Sequence, residues 1–316
     1  MLDSVAIRSA CPMSDAIAAC ARGFEALSSH HASVPLRSAL PLATADAQML
    51  VMPASSDRFP MASVKVVSVA TANRALGLPT VQSAVMLVDS ATGAPRAILD
   101  GACLTALRTG AAGGLAARLL APERCEIVAL YGAGAQARTQ LEAVFAERRP
   151  REVRVIARSP SHVASFIDTS QIPSGVSLVA GDRDAAAGAQ IIICATTSSE
   201  PVFDADDFGR GAHVTGVGSF RPDACEFPPE ILKGARVVVD HRPAAMAESG
   251  EVITALRRGW IEESDLIEIG EAKAHRSADD GRTVFKSVGN GIQDLAVGCR
   301  AVERAEALGL GKWVEL

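Results

Sequence analysis

No apolar run in this 316-residue chain reaches the length of about 18 residues that a bilayer-spanning helix needs, so no transmembrane helix is expected. There is also no block of Lys or Arg, and the net charge is −5. Sequence-independent nucleic-acid binding needs clustered cations against phosphates, so that class of partner is set aside. The seven cysteines (11, 20, 103, 125, 194, 225 and 299) are odd in number and widely scattered, with no CxxC pair and no Cys/His cluster at zinc spacing. A disulfide framework and a metal site drop out, leaving buried thiols in a reducing cytoplasm as the expectation. The start, MLDSVAIRSACPMSDA, has no basic stretch followed by an apolar one and does not read as a signal peptide. The six histidines are dispersed, and no Ser-His-Asp or Cys-His arrangement stands out. Internal repeats and low-complexity tracts are absent as well.

What is present is an ordinary globular composition, 48 % hydrophobic and 21 % charged, in a chain long enough for two domains. Helical spacing predicts a helix over Ser14–Leu27, with Ser14 as its N-cap. Strand-like runs follow at Ala47–Pro53, Ser63–Val69 and Ser83–Asp89, and the turn SATGAP joins the last to RAILDG as a hairpin. The first ~100 residues therefore read as an α+β unit with a mixed or antiparallel sheet. From residue 104, LTALRTGAAGGLAARLLA reads as a helix of small residues. After Pro122 the pattern turns to strands alternating with helices. The strands are CEIVALY, EVRVIA, VSLVA, IIICAT, HVTGVG and RVVVD; the helices are QARTQLEAVFAE, HVASFID and RDAAAGA. Such alternation predicts a doubly wound parallel sheet. The final AVGCRAVERAEALGL is amphipathic and is expected to return to the first domain. The predicted fold class is α/β: a Rossmann-type doubly wound parallel sheet at 119–291, plus a discontinuous α+β domain formed by 1–118 and 292–316.

The stretch Gly132-Ala133-Gly134-Ala135-Gln136-Ala137 lies between the strand IVALY and a helix. A lone GxGxxA is weak, but here strand, turn and helix are in the order that dinucleotide binding requires. Gly132 permits the tight turn, Gly134 lets backbone approach a pyrophosphate, and Ala137 keeps helix close to strand. The helix N-terminus, at Ala135 and Gln136, then offers unpaired N–H groups to phosphate. An NAD-binding fold usually ends the next strand with Asp or Glu on the ribose hydroxyls. This chain has Arg158 and Ser159 there. A guanidinium suits a 2′-phosphate and a carboxylate repels one, so NADP(H) is expected ahead of NAD(H).

Three cations sit in apolar or small-residue company. Lys65 lies in MASVKVVSV, where Ser63, Lys65, Val67 and Val69 share one face. Two readings stand side by side: an edge-strand lysine reaching water over its stem, or an ammonium facing a pocket. Arg108, in CLTALRTGAAGG, has small neighbours, so a carboxylate could approach it and be held in bidentate fashion; an exposed helix arginine is the plainer reading. Arg37, in SVPLRSALP, is a weaker candidate. Glu248 and Glu251, in AAMAESGEV, read equally as sheet-edge or solvated groups. The loop VGSFRPDACEF (217–227) gathers Ser219, Phe220, Arg221, Asp223 and Glu226 in a charged turn.

Taken together, VPLRSALP, LVMP, SVKVVSV followed by Asn73, LTALRTGAAG, GAGAQA, VGSFRPDACEF and SVGNGIQDLA resemble, in order, the ornithine cyclodeaminase/mu-crystallin family. The resemblance spans residues about 35 to 295. It implies a homodimer whose first domain carries the dimer interface and substrate pocket, and whose second is a nicotinamide-binding Rossmann domain. It further implies that Arg108 grips the substrate carboxylate, that Arg37 adds a second contact, and that Lys65 sits beside them. Loops 195–199, 217–219 and 288–290, with Thr196, Val217, Ser219, Gly289 and Asn290, would approach the cofactor. Ornithine cyclodeaminases are similar to GGDxPGKxEL in the 217–227 loop, with a catalytic Asp where this chain has Phe220; Asp223 lies three residues on. They also carry an acid just before Leu-Met-Pro, where this chain reads Leu50-Val51-Met52-Pro53. GSFRPDACEF is closer to the GASRPDxxEL loop of ketimine reductases. The expected activity is therefore NAD(P)H-dependent reduction of a small 2-imino acid, of the Δ1-pyrroline-2-carboxylate or Δ1-piperideine-2-carboxylate type. Lys65, Arg108 and Asp223 are the candidate catalytic residues, and Arg37, Lys65, Arg108 and Phe220 the substrate-binding ones. The alternatives are ornithine cyclodeamination with NAD+, an alanine-dehydrogenase-like oxidoreductase, and a nucleotide-dependent binding protein without turnover.

Overall fold

The computed structural model of the chain describes residues 1–42, 47–274 and 281–315. It divides the chain into two compact units, Met1–Arg108 with Asn290–Leu316, and Thr109–Gly289.

The first unit opens with helices α1 (Ser4–Ala10) and α2 (Met13–Ser28). The cap of α2 is Pro12, not Ser14, which lies inside the first turn; proline's fixed φ and missing N–H suit a helix start. Strands β1 (Ala32–Ser33), β2 (Ser38–Pro41), β3 (Ala47–Ser56), β4 (Met61–Ala70), β5 (Val81–Asp89) and β6 (Pro95–Asp100) form one antiparallel sheet. Its order is β1-β3-β4-β5-β6, with β2 also on β3. In β4 the two-residue alternation buries Met61, Ser63 and Lys65 and leaves Val66 exposed. Helix α3 (Gly101–Leu120) contributes its residues up to Arg108 to this unit. The last helix, α8 (Gly291–Leu308), belongs here too, and most of its first three turns is buried. It crosses α2 closely: a Cβ on Gly23 would lie 2.9 Å from the Ala296 methyl, so glycine sets the approach of the two helices.

The second unit is an eight-stranded parallel sheet with helices. Its elements in chain order are β7 (Ile127–Tyr131), α4 (Ala135–Glu147), β8 (Glu152–Ile156), α5 (Pro160–Thr169), β9 (Ser177–Ala180), β10 (Ile191–Cys194), β11 (His213–Gly216), β12 (Arg236–Val239), α6 (Arg242–Glu248), α7 (Gly250–Arg257), β13 (Ile267–Glu268) and β14 (Thr283–Lys286). The strand order is β13-β12-β14-β11-β10-β7-β8-β9. Two apolar clusters enclose the sheet, one around Val128, Leu130, Val155 and Ile193, the other around Tyr131, Ile192, Val214 and Val239. The observed α/β class with a Rossmann-type parallel sheet is the one the alternation of strands and helices predicts. RDAAAGA is not an α-helix but one tight 3₁₀ turn at Arg183–Ala186, ended at Gly188 with its φ of +74°. β13 and β14 are not among the strands that the sequence predicts. β14 lies fully buried between β11 and β12, so the two last strands predicted from the sequence, HVTGVG and RVVVD, are not neighbours. His213 of β11 is buried and bridges Thr283 of β14 at 2.8 Å and Thr215 at 2.9 Å. Burial, reinforced by the charge of Arg148, drives its pKa down to about 3, so it is neutral.

Candidate active site

In the second unit, the Gly-rich turn follows β7 directly. Gly132 has φ +119°, and a Cβ there would stand 2.3 Å from the Ala195 carbonyl oxygen, so no other residue fits. Gly134 is the N-cap of α4 and makes no side-chain cap. A Cβ built on it meets nothing within 4 Å. Gly134 and Ala135 are exposed at the start of α4, while Ala137 is packed into the sheet core. The Oε1 of Gln136 is buried without a hydrogen bond among the described residues. A helix start left uncapped beneath a glycine is what a dinucleotide pyrophosphate requires, so these residues fit that group. Just past the end of β8, Arg158 is exposed, and its neighbours in the chain, Ala157, Ser159 and Pro160, include no acid. Ser159 instead caps α5, its Oγ accepting from the His162 N–H.

The strand ends β10, β11 and β14 carry the other loops. Thr196 and Val217 are half-buried and Ser219 is buried. Gly289 donates its N–H to buried Asp240 at 2.7 Å. Phe220 is 38 % exposed. Arg221 and Asp223 are exposed and bonded to one another, Nε to Oδ1 at 3.0 Å. Each holds the other's charge, raising the pKa of Arg221 and lowering that of Asp223. This pair shapes the surface of the loop.

In the first unit, Lys65 and Arg108 come together around a residue that the sequence reading passed over. Asp294, in the first turn of α8, is wholly buried. Its Oδ2 lies 2.7 Å from Lys65 Nζ, and its Oδ1 lies 3.3 Å from Arg108 Nε. Lys65 is 2 % exposed and Arg108 5 %. β4 runs between β3 and β5, so the edge-strand reading of Lys65 falls away: Lys65 is paired with Met52 and Val85 across an interior position. Arg108 Nη1 donates to Gln293 Oε1 at 2.7 Å, and the same oxygen accepts the Asn290 N–H at 3.0 Å. Burial lowers the Lys65 pKa to about 8; the charges of Arg108 and Arg37 push the same way, and Asp294 opposes them. Arg37, half-buried just before β2, is therefore within electrostatic reach. Among the described residues Gln293 Nε2 is buried without a hydrogen-bond partner, and Arg108 Nε faces the Asp294 carboxylate alone, at 3.3 Å. Buried polar atoms are nearly always bonded, so an unpaired amide N–H beside two cations leaves donor capacity for a polar ligand. Asn290, expected to approach the cofactor, falls in this unit at the start of α8.

A Rossmann-type parallel sheet with a Gly-rich turn after its first strand places the chain among α/β proteins of the dinucleotide-binding kind, here joined to a unit with a buried Lys–Asp–Arg cluster. The chain belongs to the ornithine cyclodeaminase/mu-crystallin family, whose sequence model matches residues 1–308. It is 35 % identical over 311 residues to a Delta(1)-pyrroline-2-carboxylate reductase of Bacillus cereus, covering 96 % of this chain and 95 % of that protein. It is 32 % identical over 261 residues to the ketimine reductase mu-crystallin of Mus musculus, covering 83 % of this chain and 82 % of that one. Among solved structures, Thermococcus litoralis Delta(1)-pyrroline-2-carboxylate reductase in complex with NADH and L-proline superposes with a TM-score of 0.92 at 33 % identity, over 99 % of both chains.

Proposed function

We propose that this protein reduces the C=N bond of a small cyclic 2-imino acid, of the Δ1-pyrroline-2-carboxylate or Δ1-piperideine-2-carboxylate type, to the L-amino acid. The observation that carries this reading is the buried Lys65–Asp294–Arg108 cluster, two cations held on one carboxylate. Arg108, aided by Arg37, binds the substrate carboxylate. That contact orients the imine carbon, the entropic share of catalysis. The Lys65 ammonium, with a pKa of about 8, holds a proton it can pass toward the ring nitrogen. Asp294 keeps the two cations apart and aimed. A bound nicotinamide supplies the hydride; Gly132, Gly134, Ala135, Gln136 and Ala137 would hold its pyrophosphate, with Thr196, Val217, Ser219 and Gly289 in the neighbouring loops. NADP(H) is preferred to NAD(H), on the strength of exposed Arg158 where an acid would otherwise meet the ribose. The aromatic side chain of Phe220 cannot accept a proton, which argues against cyclodeamination, and Asp223 is engaged with Arg221. The enzyme works as a cytoplasmic homodimer.

The test mixes purified protein with NADPH and Δ1-pyrroline-2-carboxylate and follows the nicotinamide absorbance, beside a second assay with L-ornithine and NAD+ scored for ammonia. NADPH loss without ammonia is expected; ammonia and proline from ornithine would overturn the assignment. For the cofactor, Arg158→Asp should shift affinity from NADPH toward NADH, on the order of tenfold or more. An unchanged ratio would remove Arg158 from that role.

A further inference from the structure

Among the buried ionisable side chains of the second unit that take no part in the chemistry above, Glu226, Glu251 and Lys286 lie together. One oxygen of the Glu226 carboxylate accepts the backbone N–H of Thr196, in the loop after β10. The other accepts the N–H of Gly218 at 2.8 Å, in the loop after β11. The fit is tight: a Cβ on Gly218 would lie 2.2 Å from the Thr196 carbonyl oxygen and 2.3 Å from Glu226 Oε1. Backbone bonds join the same two segments, from Cys225 N to Ser199 O at 3.1 Å and from Val202 N to Glu226 O at 3.1 Å. From behind, Glu251 Oε1 accepts the Glu226 N–H at 2.8 Å and lies 3.1 Å from Lys286 Nζ. Ser249 Oγ donates to Glu251 Oε2 at 2.8 Å. Lys286 ends β14 and stands 5.6 Å from the centre of the Phe227 ring.

The charge balance singles out Glu226. Two carboxylates share one ammonium, and Glu251 is the one in ion contact with it. Glu226 is held instead by backbone N–H groups, and burial raises its pKa. A buried carboxylate is costly, and apolar packing would fasten a loop with less penalty. What packing cannot supply is two directed acceptors that fix two N–H groups at a set distance.

We infer that Glu226 is a positioning residue: its carboxylate sets the spacing of loops 195–199 and 217–219, and through them the affinity of the second unit for the nicotinamide dinucleotide. This rests on the reading of those loops as cofactor-facing. It requires no contact between Glu226 and the reacting atoms.

The variant is Glu226→Gln. A glutamine offers one acceptor and turns an N–H donor toward the other loop, so one of the two bonds is lost. It also leaves Glu251 and Lys286 as a balanced pair, so the fold is expected to survive. Fluorescence titration should find NADPH bound about tenfold more weakly, while the KM for the imino acid changes less than about twofold. Hydrogen exchange at Thr196 or Gly218 should accelerate. Unchanged NADPH affinity in the folded variant would overturn the inference. A second measurement needs no variant: in cofactor-free wild type, the Thr196 and Gly218 amides should exchange far more slowly than exposed loop amides. Exchange at exposed-loop rates would mean that Glu226 does not hold them, and the inference fails whatever the variant does. If the wild type binds NADPH yet reduces no imino acid, the proposed reaction is lost while the titration still decides the role of Glu226. A wild type that binds no nicotinamide dinucleotide overturns both.

Discussion

A single carboxylate, that of Asp294, stands between two cations that would otherwise repel at close range in a buried site. Removing one member of a buried ionic group leaves the others uncompensated, at a cost of about 3–5 kcal/mol. Asp294→Asn is therefore expected to lower stability by that order. It should also lower kcat/KM on the order of a hundredfold, since Lys65 and Arg108 lose their common anchor. A melting curve and steady-state kinetics would check this, and wild-type kcat/KM in a folded Asn variant would deny Asp294 its role. Lys65 supplies a second test, through pH. Its pKa is lowered to about 8 from the usual 10.5, chiefly by burial. Between those values the unfolded chain keeps the proton and the folded one releases it, so Lys65 favours the folded state increasingly as pH rises through that window. Activity runs the opposite way, because the proton-bearing form is lost above about 8. A fall of about tenfold per pH unit in kcat/KM is expected beyond that point. In Lys65→Arg the cation persists but does not release its proton, so kcat should fall on the order of a hundredfold and the limb near 8 should vanish from the activity that is left, if the limb belongs to Lys65. An unmoved limb would assign it elsewhere.

At the scale of elements, the buried bridge of His213 between Thr283 and Thr215 ties β11 to β14. Its pKa of about 3 lies below the usual 6.5, chiefly through burial. As pH falls from 6.5 toward 3, the unfolded chain gains a proton that the folded one refuses, so stability drains away, on the order of a few kcal/mol. His213→Gln cannot titrate, and its acid unfolding curve should be flatter than the wild type's over this range. Equal pH dependence in the two proteins would show that His213 is not the source. The same pair of strands marks the limit of what the sequence discloses. β7, β8, β10, β11 and β12 announce themselves as apolar runs, and the Gly-rich turn is legible because each of its small residues has a steric reason. β14 is four residues long and carries Lys286, so no periodicity separates it from a loop; only its burial between β11 and β12 makes it a strand. Asp294 was hidden for a related reason. An acid in the first turn of a helix is common and favourable at the helix dipole, so its type and place give no sign that it is buried. Lys65 and Arg108 could be picked out because cations among apolar neighbours are unusual, and β4 shows the two-residue alternation that turns Lys65 inward. The fate of Glu251, wholly buried rather than solvated, needed Lys286 from a distant strand to explain it.

For the whole molecule, the first unit's sheet carries exposed apolar side chains on its outer face, set among Ser38, Ser68 and Gln82. Val66, 38 % exposed, is flanked across the sheet by Val51 and Ala84, and Leu40, 49 % exposed, lies opposite Met49. Exposed apolar side chains grouped on a sheet face suit an interaction surface, and a second copy of the chain is the occupant that the family resemblance implies. Light scattering should then report twice the chain mass of 32.7 kDa. Val66→Asp, a charge set in the middle of that face, should halve the measured mass. The consequence for activity follows from the pleat of a single strand. Val66 and Lys65 are consecutive residues of β4 and point to opposite faces. Loss of the partner would release the strand that aims Lys65, without touching the parallel sheet of the second unit. Imino-acid affinity and kcat should therefore fall in Val66→Asp while NADPH affinity stays within about twofold. A monomeric variant of full activity would separate assembly from catalysis, and a wild type of single-chain mass would leave the outer face of the sheet in need of another explanation.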